Sequence, residues 1–200
     1  MTVYQPLVNL VFHRRHIPVY QSGTEDILQK SVIATVLMAL EFGPDTYWGI
    51  RYTLPRGESY VVKMDVVQKN MAPVAQSNNR NMIFSWNQDL TRQEKGRMFE
   101  ERNSALYYKY AGGSVENLKE AKDDTKEREA KIKWIGFKNQ FFSSVMVMNK
   151  GSFNSADFKS TIMTEKDYLK NFAAEAKISD YDWNKENPVS LSLFLGPNLY

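Results

Sequence analysis

His13 and His16, three apart and the chain's two histidines, invite a metal hypothesis. A metal site needs further ligands and a shape to hold them. With no cysteine anywhere, carboxylates would have to complete it, so His13-Arg14-Arg15-His16 reads as a basic cluster rather than a metal site. Arg92-Gln93-Glu94-Lys95 sets acids beside bases, as proton transfer requires, but a charge run is usually a solvated face. Tyr107, Tyr108 and Tyr110 could stack single-stranded bases if a basic groove lay beside them. A formal charge of only +3 and the lack of any ribonucleoprotein motif make them packing residues instead, with no nucleic acid expected as partner. The chain has no Gly-rich phosphate loop, no G-x-S-x-G elbow and no H-E-x-x-H pair. A carboxylate pair for glycoside chemistry could still be assembled across strands, and the tryptophans and tyrosines would suit a sugar platform. A carbohydrate-binding or carbohydrate-active module is therefore the alternative function; the main expectation is a non-enzyme with no catalytic residues, no cofactor and no metal.

Composition bounds what could position such groups. Two hundred residues, 42% of them hydrophobic, suffice for one sizeable core, so residues 1–200 read as a single domain. Absent cysteine excludes a disulfide framework and leaves the compartment open. The longest uncharged apolar run, Val32–Leu40, is far short of the roughly 20 residues that cross a bilayer. The chain reads as soluble, with no signal peptide at its start; work outside the cytoplasm would imply a targeting segment already removed.

Most of the chain alternates as strands do. Val3–Phe12 reads as extended, and Ser31–Leu40 as a buried, β-branched strand ended by Gly43-Pro44. Trp48, Ile50, Tyr52 and Leu54 alternate with polar residues, Pro55-Arg56-Gly57 turns the chain, and Tyr60, Val62, Met64 and Val66 alternate again: a β-hairpin. Further strands are expected at Met82–Leu90, Ala105–Tyr110 and Phe158–Ile162, with a helical turn or ordered loop at Arg92–Arg102. Asp167–Ile178 fits both a helical stripe and a strand alternation; propensity favours the helix, the all-β surroundings favour the strand, and a strand is the expectation. Glu116–Lys133 holds six acids and six bases with several i,i+4 pairs, and reads as an exposed helical or mobile insertion with nothing to bury.

Gln140–Met148 is apolar in both registers, with Phe141, Val145 and Val147 on one face and Phe142, Met146 and Met148 on the other. That places it as a central strand covered on both sides, with Phe141 and Phe142 buried on opposite faces. Pro188–Leu195 makes the last strand, Val189, Leu191, Leu193 and Leu195 inward, stopped by Gly196-Pro197. About ten short strands with one or two short helices predict an all-β, mainly antiparallel, large β-sandwich.

Three motifs in order carry a family resemblance: R-Q-E-K-G-R (Arg92–Arg97), W-I-G-F-K-N-Q-F-F (Trp134–Phe142) and L-F-L-G-P (Leu193–Pro197). Over roughly Ser31 to Tyr200 the chain resembles the large periplasmic domain of the YidC membrane protein insertase family, in its Bacteroides-like form. The resemblance implies a β-supersandwich of the periplasm, attached to an inner-membrane insertase whose groove lies in transmembrane helices that this chain lacks. It implies contacts with accessory subunits of the Sec translocon and with nascent inner-membrane proteins. The positions that match are scaffold positions: Trp134, Gly136, Gln140, Phe141 and Phe142, then Gly196 and Pro197. The charged stretch Glu116–Lys133 departs from the family pattern.

Overall fold

A computed structural model describes residues 32–56, 59–75 and 80–198. Val3–Phe12 and the His13–His16 cluster lie outside those residues. The described chain forms, in order, β1 (Val32–Gly43), β2 (Thr46–Pro55), β3 (Val61–Lys69), β4 (Met82–Thr91), α1 (Arg97–Arg102), β5 (Ala105–Tyr110), β6 (Val115–Asn117), β7 (Asp124–Arg128), β8 (Ile132–Lys138), β9 (Phe142–Met148), β10 (Ser155–Ile162), β11 (Tyr168–Ile178) and β12 (Val189–Pro197). An eight-stranded sheet runs β1-β2-β3-β12-β9-β8-β5-β6, and a four-stranded sheet runs β4-β11-β10-β7. Every named pairing is antiparallel. The two sheets pack face to face as a sandwich, as the alternation of the strands requires.

Aromatic side chains fill the space between the sheets. Phe137 of β8 stacks on Trp86 of β4 with ring centroids 3.9 Å apart and tilts against Phe172 of β11 at 5.5 Å. Tyr108 of β5 stacks on Phe158 of β10 at 4.4 Å. Between Phe172 and Ile178, β11 turns Ala174 and Ala176 inward, so small residues let the sheets approach where large rings come from the partner. The Asp167–Ile178 segment is thus a strand, and the β2–β3 hairpin forms in the register its alternation predicts, Ile50 opposite Val66 and Tyr52 opposite Met64.

Four expectations are corrected. Ser31–Leu40 is not a buried core strand: among the described residues β1 is the outermost strand of the large sheet and pairs with β2 alone, and Leu40 and Phe42 are exposed. Gln140–Met148 is not one strand buried on both faces. β9 begins at Phe142 and does lie near the middle of its sheet, yet only Met146 and Met148 are buried. Phe142 is exposed, and Phe141 precedes the strand and is half-buried, because Asn139 folds the chain there: its side-chain oxygen accepts the N–H groups of Phe141 (2.8 Å) and Phe142 (2.6 Å) in an Asx turn. The end of β12 also differs: Leu195 is exposed rather than inward, and Gly196-Pro197 does not stop the strand but belongs to its ladder, Gly196 opposite Ser143 and Pro197 opposite Phe142. Pro197 is tolerated because β3 pairs with β12 only as far as Phe194, leaving that side of the ladder free of an N–H requirement.

The fourth correction is the charged stretch. Glu116–Lys133 is neither helical nor a loose insertion: it supplies β6, the last strand of the large sheet, and β7, the last strand of the small one, and so closes one side of the sandwich. Leu118 and Ile132 within it are fully buried. The Lys126 ammonium and Arg128 guanidinium of β7 lie over the Tyr108 ring at 5.9 and 6.0 Å, and Lys126 Nζ donates to the Asn117 carbonyl at 2.8 Å. Arg128 Nε donates to the Tyr108 hydroxyl (3.0 Å), which donates to Glu116 Oε2 (2.8 Å). Inward-facing charge on an edge strand blocks further strands from adding to it, a physical reason for so charged a β-segment.

Candidate functional site

The three motifs, far apart in sequence, meet at one end of the sandwich. β8 and β9 make a hairpin whose turn is the K-N-Q-F of the second motif, closed by Asn139 N–H donating to the Phe142 carbonyl at 2.9 Å. β12, which ends in the third motif, runs beside β9, and Asn198 ties them together. Its backbone N–H donates to the Phe141 carbonyl (2.7 Å), its side-chain amide donates to the carbonyls of Asn139 (2.9 Å) and Gln140 (3.1 Å), and Ser143 Oγ donates to its Oδ1 (2.5 Å). On the other side of the hairpin Lys138 pairs with Ala105, the first residue of β5, and α1 stands immediately before that strand.

The first motif builds the support of α1 from charged residues turned inward. Glu100 is fully buried, and its carboxylate accepts the N–H of Gln93 at 3.0 and 3.1 Å and that of Glu94 at 3.0 Å. Arg97 spreads its guanidinium over the β10–β11 turn, donating to the carbonyls of Tyr168 (2.8 Å), Glu165 (3.1 Å), Leu169 (3.4 Å) and Met163, while Nε pairs with Glu101 at 3.2 Å. Behind them Lys170 is completely buried and donates to the carbonyls of Ser104 (2.7 Å) and Glu120 (2.6 Å). Burial lowers its pKa from the ordinary lysine value, the nearby carboxylates Glu101 and Glu120 opposing the shift. Glu100, Arg97 and Lys170 are chemically capable groups spent on backbone partners. They fix geometry.

On the outer face of the large sheet, at the same end, Trp134, Gly136, Tyr107, Lys138, Ser143 and Val145 line a groove of about 290 Å³. Gly136 is its floor: a Cβ there would lie 3.3 Å from Val145 Cγ2 and 3.5 Å from the Trp134 ring. Gly196 repeats the device two strands away, where a Cβ would meet Phe194 at 2.7 Å and Tyr60 at 2.8 Å, so each glycine is roofed by an aromatic two residues before it. Aromatic cover of a sheet glycine restores the apolar contact that the missing side chain forfeits. The scaffold positions Trp134, Gly136, Gln140, Phe141, Phe142, Gly196 and Pro197 therefore fall in one neighbourhood, as groove floor and roof, hairpin turn and paired strand ends. Sequence reading missed Glu100, Lys170 and Asn198. Glu100 and Lys170 carry the signature of surface residues, and only their backbone partners reveal their role.

Among the described residues no three His, Asp or Glu side chains gather into a metal-binding group, and no helix is long and apolar enough to cross a membrane. The chain is 34% identical to a protein named membrane protein insertase YidC of Azobacteroides pseudotrichonymphae over 175 residues, 88% of this chain and 28% of that protein. Identity is 33% to the namesake of Parabacteroides distasonis, covering 83% of this chain and 26% of the relative, and 31% to that of Bacteroides fragilis, covering 84% and 27%. The chain thus spans about a quarter of the length of these relatives. A family model for the YidC periplasmic domain matches residues 15–200, every motif and every described strand within it, and the chain belongs to that family.

Proposed function

We propose that residues 1–200 are a single, non-catalytic periplasmic domain of a larger YidC-like membrane protein insertase and chaperone of the bacterial inner membrane. The domain assists insertion and folding of inner-membrane proteins by contact, meeting accessory subunits of the Sec translocon or emerging substrate segments. The observation that carries this reading is the convergence of the three motifs on one end of a sandwich, within a chain matched by the family model almost throughout. The convergent groups there are structural: buried charges satisfied by backbone, glycines roofed by aromatics, and a hairpin held by Asn198. Such an end presents a rigid surface rather than a reaction centre.

The experiment is site-specific photo-crosslinking in the full-length insertase, with the reactive side chain at Lys138 and Ser143 beside the groove and at Thr35 on β1. Adducts with a translocon subunit or a nascent membrane protein from the groove positions, and fewer from Thr35, are the expected result. No adduct from any position during active insertion refutes the contact reading. The aromatic groove gives the carbohydrate alternative one supporting observation. Glycan binding by the chain, abolished by Trp134→Ala, would favour that reading instead.

A further inference from the structure

The short helix α1 is built inside out. Its Arg97, Glu100 and Glu101, spaced to share a helical face, turn inward and are consumed by hydrogen bonds, whereas Met98 and Phe99 point to solvent at 68% and 63% exposure. Six residues make no stable helix alone, so it is the inward charges that hold these two apolar side chains out. They have company. Phe142 at the start of β9, Leu195 near the end of β12, Tyr60 just before β3 and Tyr168 at the start of β11 are also exposed. The pairings Pro197 with Phe142, Phe194 with Val61, Ala105 with Lys138 and Thr91 with Tyr168 put all of these at the end where α1 stands. Asn198, the last described residue, lies there too.

From this we infer that the α1 end is a membrane-docking face, on which Met98 and Phe99 enter the headgroup and upper acyl region of a bilayer. The inference rests on the reading of the chain as part of a membrane insertase. A bilayer is the occupant because the relatives are by name membrane protein insertases, three quarters of whose length lies outside this chain, so a membrane is present wherever such a protein works. The chemistry fits an interface. Methionine, phenylalanine and leucine are flanked by the tyrosines Tyr60 and Tyr168, and by Lys95 and Arg102, whose long stems let the charge stay in water. Local charge is close to balanced by Glu94, Glu165 and Asp167, so the attachment is apolar and survives high salt, unlike capture by anionic lipid alone.

The opposite end supplies an internal control. Leu40 and Phe42 are about as exposed, but they sit by the β1–β2 turn, where Tyr47 pairs with Lys69 at the far end of β3. Since the chain has no cysteine, Met98→Cys and Phe42→Cys each accept one environment-sensitive nitrobenzoxadiazole label. The 200-residue chain is mixed with vesicles of phosphatidylethanolamine and phosphatidylglycerol, or of phosphatidylcholine, at low and high salt, after matched thermal melts show both variants folded. A blue shift and at least tenfold vesicle enrichment for the Met98 label, lost with Phe99→Ser and absent for the Phe42 label, is the expected result. No response at Met98, an equal response at both ends, or a shift that grows with protein concentration without vesicles overturns the proposal, the last in favour of a second copy of this chain. The assay contains no insertase core, so its failure leaves the insertion reading standing. Crosslinking failure with vesicle binding intact would do the reverse.

Discussion

Replacing Lys119–Ala130 with a Gly/Ser linker of equal length separates an edge-building segment from a solvated one. The change deletes β7 and its five ladder pairs with β10, together with the two cations over Tyr108. It also removes what holds the Glu120 carbonyl against the buried Lys170 ammonium. A hydrogen bond to a charged group contributes about 1.5–3 kcal/mol, and two are lost, those of Arg128 with the Tyr108 hydroxyl and of Lys170 with Glu120. Arg128 lies at the rim, so the lower figure applies to it. A cation over an aromatic face adds roughly 0.5–1 kcal/mol at such a site. With both cations over the ring counted, the sum is about 4–6.5 kcal/mol, a large share of the 5–15 kcal/mol that typically holds a domain of this kind together. Urea unfolding followed by tryptophan fluorescence and far-ultraviolet circular dichroism measures it by linear extrapolation. A loss below about 1 kcal/mol would mean that the segment is a solvated insertion after all.

Phe137→Ala should cost about 3–5 kcal/mol in the same assay, as core phenylalanines do, while Phe142→Ala should cost less than about 1 kcal/mol because its ring is exposed. Glu100→Ala removes the acceptor of two part-buried backbone N–H groups, those of Gln93 and Glu94, and should destabilise by about 1–3 kcal/mol, with Glu100→Gln retaining part of the loss; equal stability of all three proteins would remove Glu100 from the anchor of α1. Lys170→Met should change the pH dependence. Burial holds the folded-state pKa of Lys170 below its ordinary 10.5, so between the two values the unfolded chain binds more protons and stability rises with pH. That rise should be present in the wild type and missing from the variant. Tyr108 and Tyr181, whose pKa values burial raises, add an opposite slope above 10.0 that is common to both proteins and cancels in the difference. A flat difference profile approaching pH 10.5 would mean that Lys170 is not desolvated.

The legible parts were those where alternation and burial coincide. Trp48, Ile50 and Tyr52 share the inner face of β2, and Phe172, Ala174, Ala176 and Ile178 that of β11, so period two revealed both strands. It failed where apolar residues face outward. Val145 and Val147 lie on the groove face of β9, which made a strand covered on one side look covered on two. β1 is apolar yet outermost among the described strands, because composition does not say what lies beyond a strand. The i,i+4 charge pairs of Glu116–Lys133 were ambiguous in principle, since residues four apart share a face in a strand as well as in a helix, and only the pairing of β7 with β10 decides between them. Glu100 and Lys170 could not be read at all, their partners being main-chain carbonyls and amides brought near by the fold.

Insertion of a dependent substrate by the full-length protein, with residues 32–198 excised and a flexible linker joining the remaining chain, decides whether the sandwich assists insertion. Expression is matched, and proteolysis verifies that the membrane-embedded part is intact. Assistance by contact predicts reduced insertion, restored by supplying the sandwich in place with its motif-bearing end unaltered. Full insertion without the sandwich would contradict the account and leave the domain a spacer.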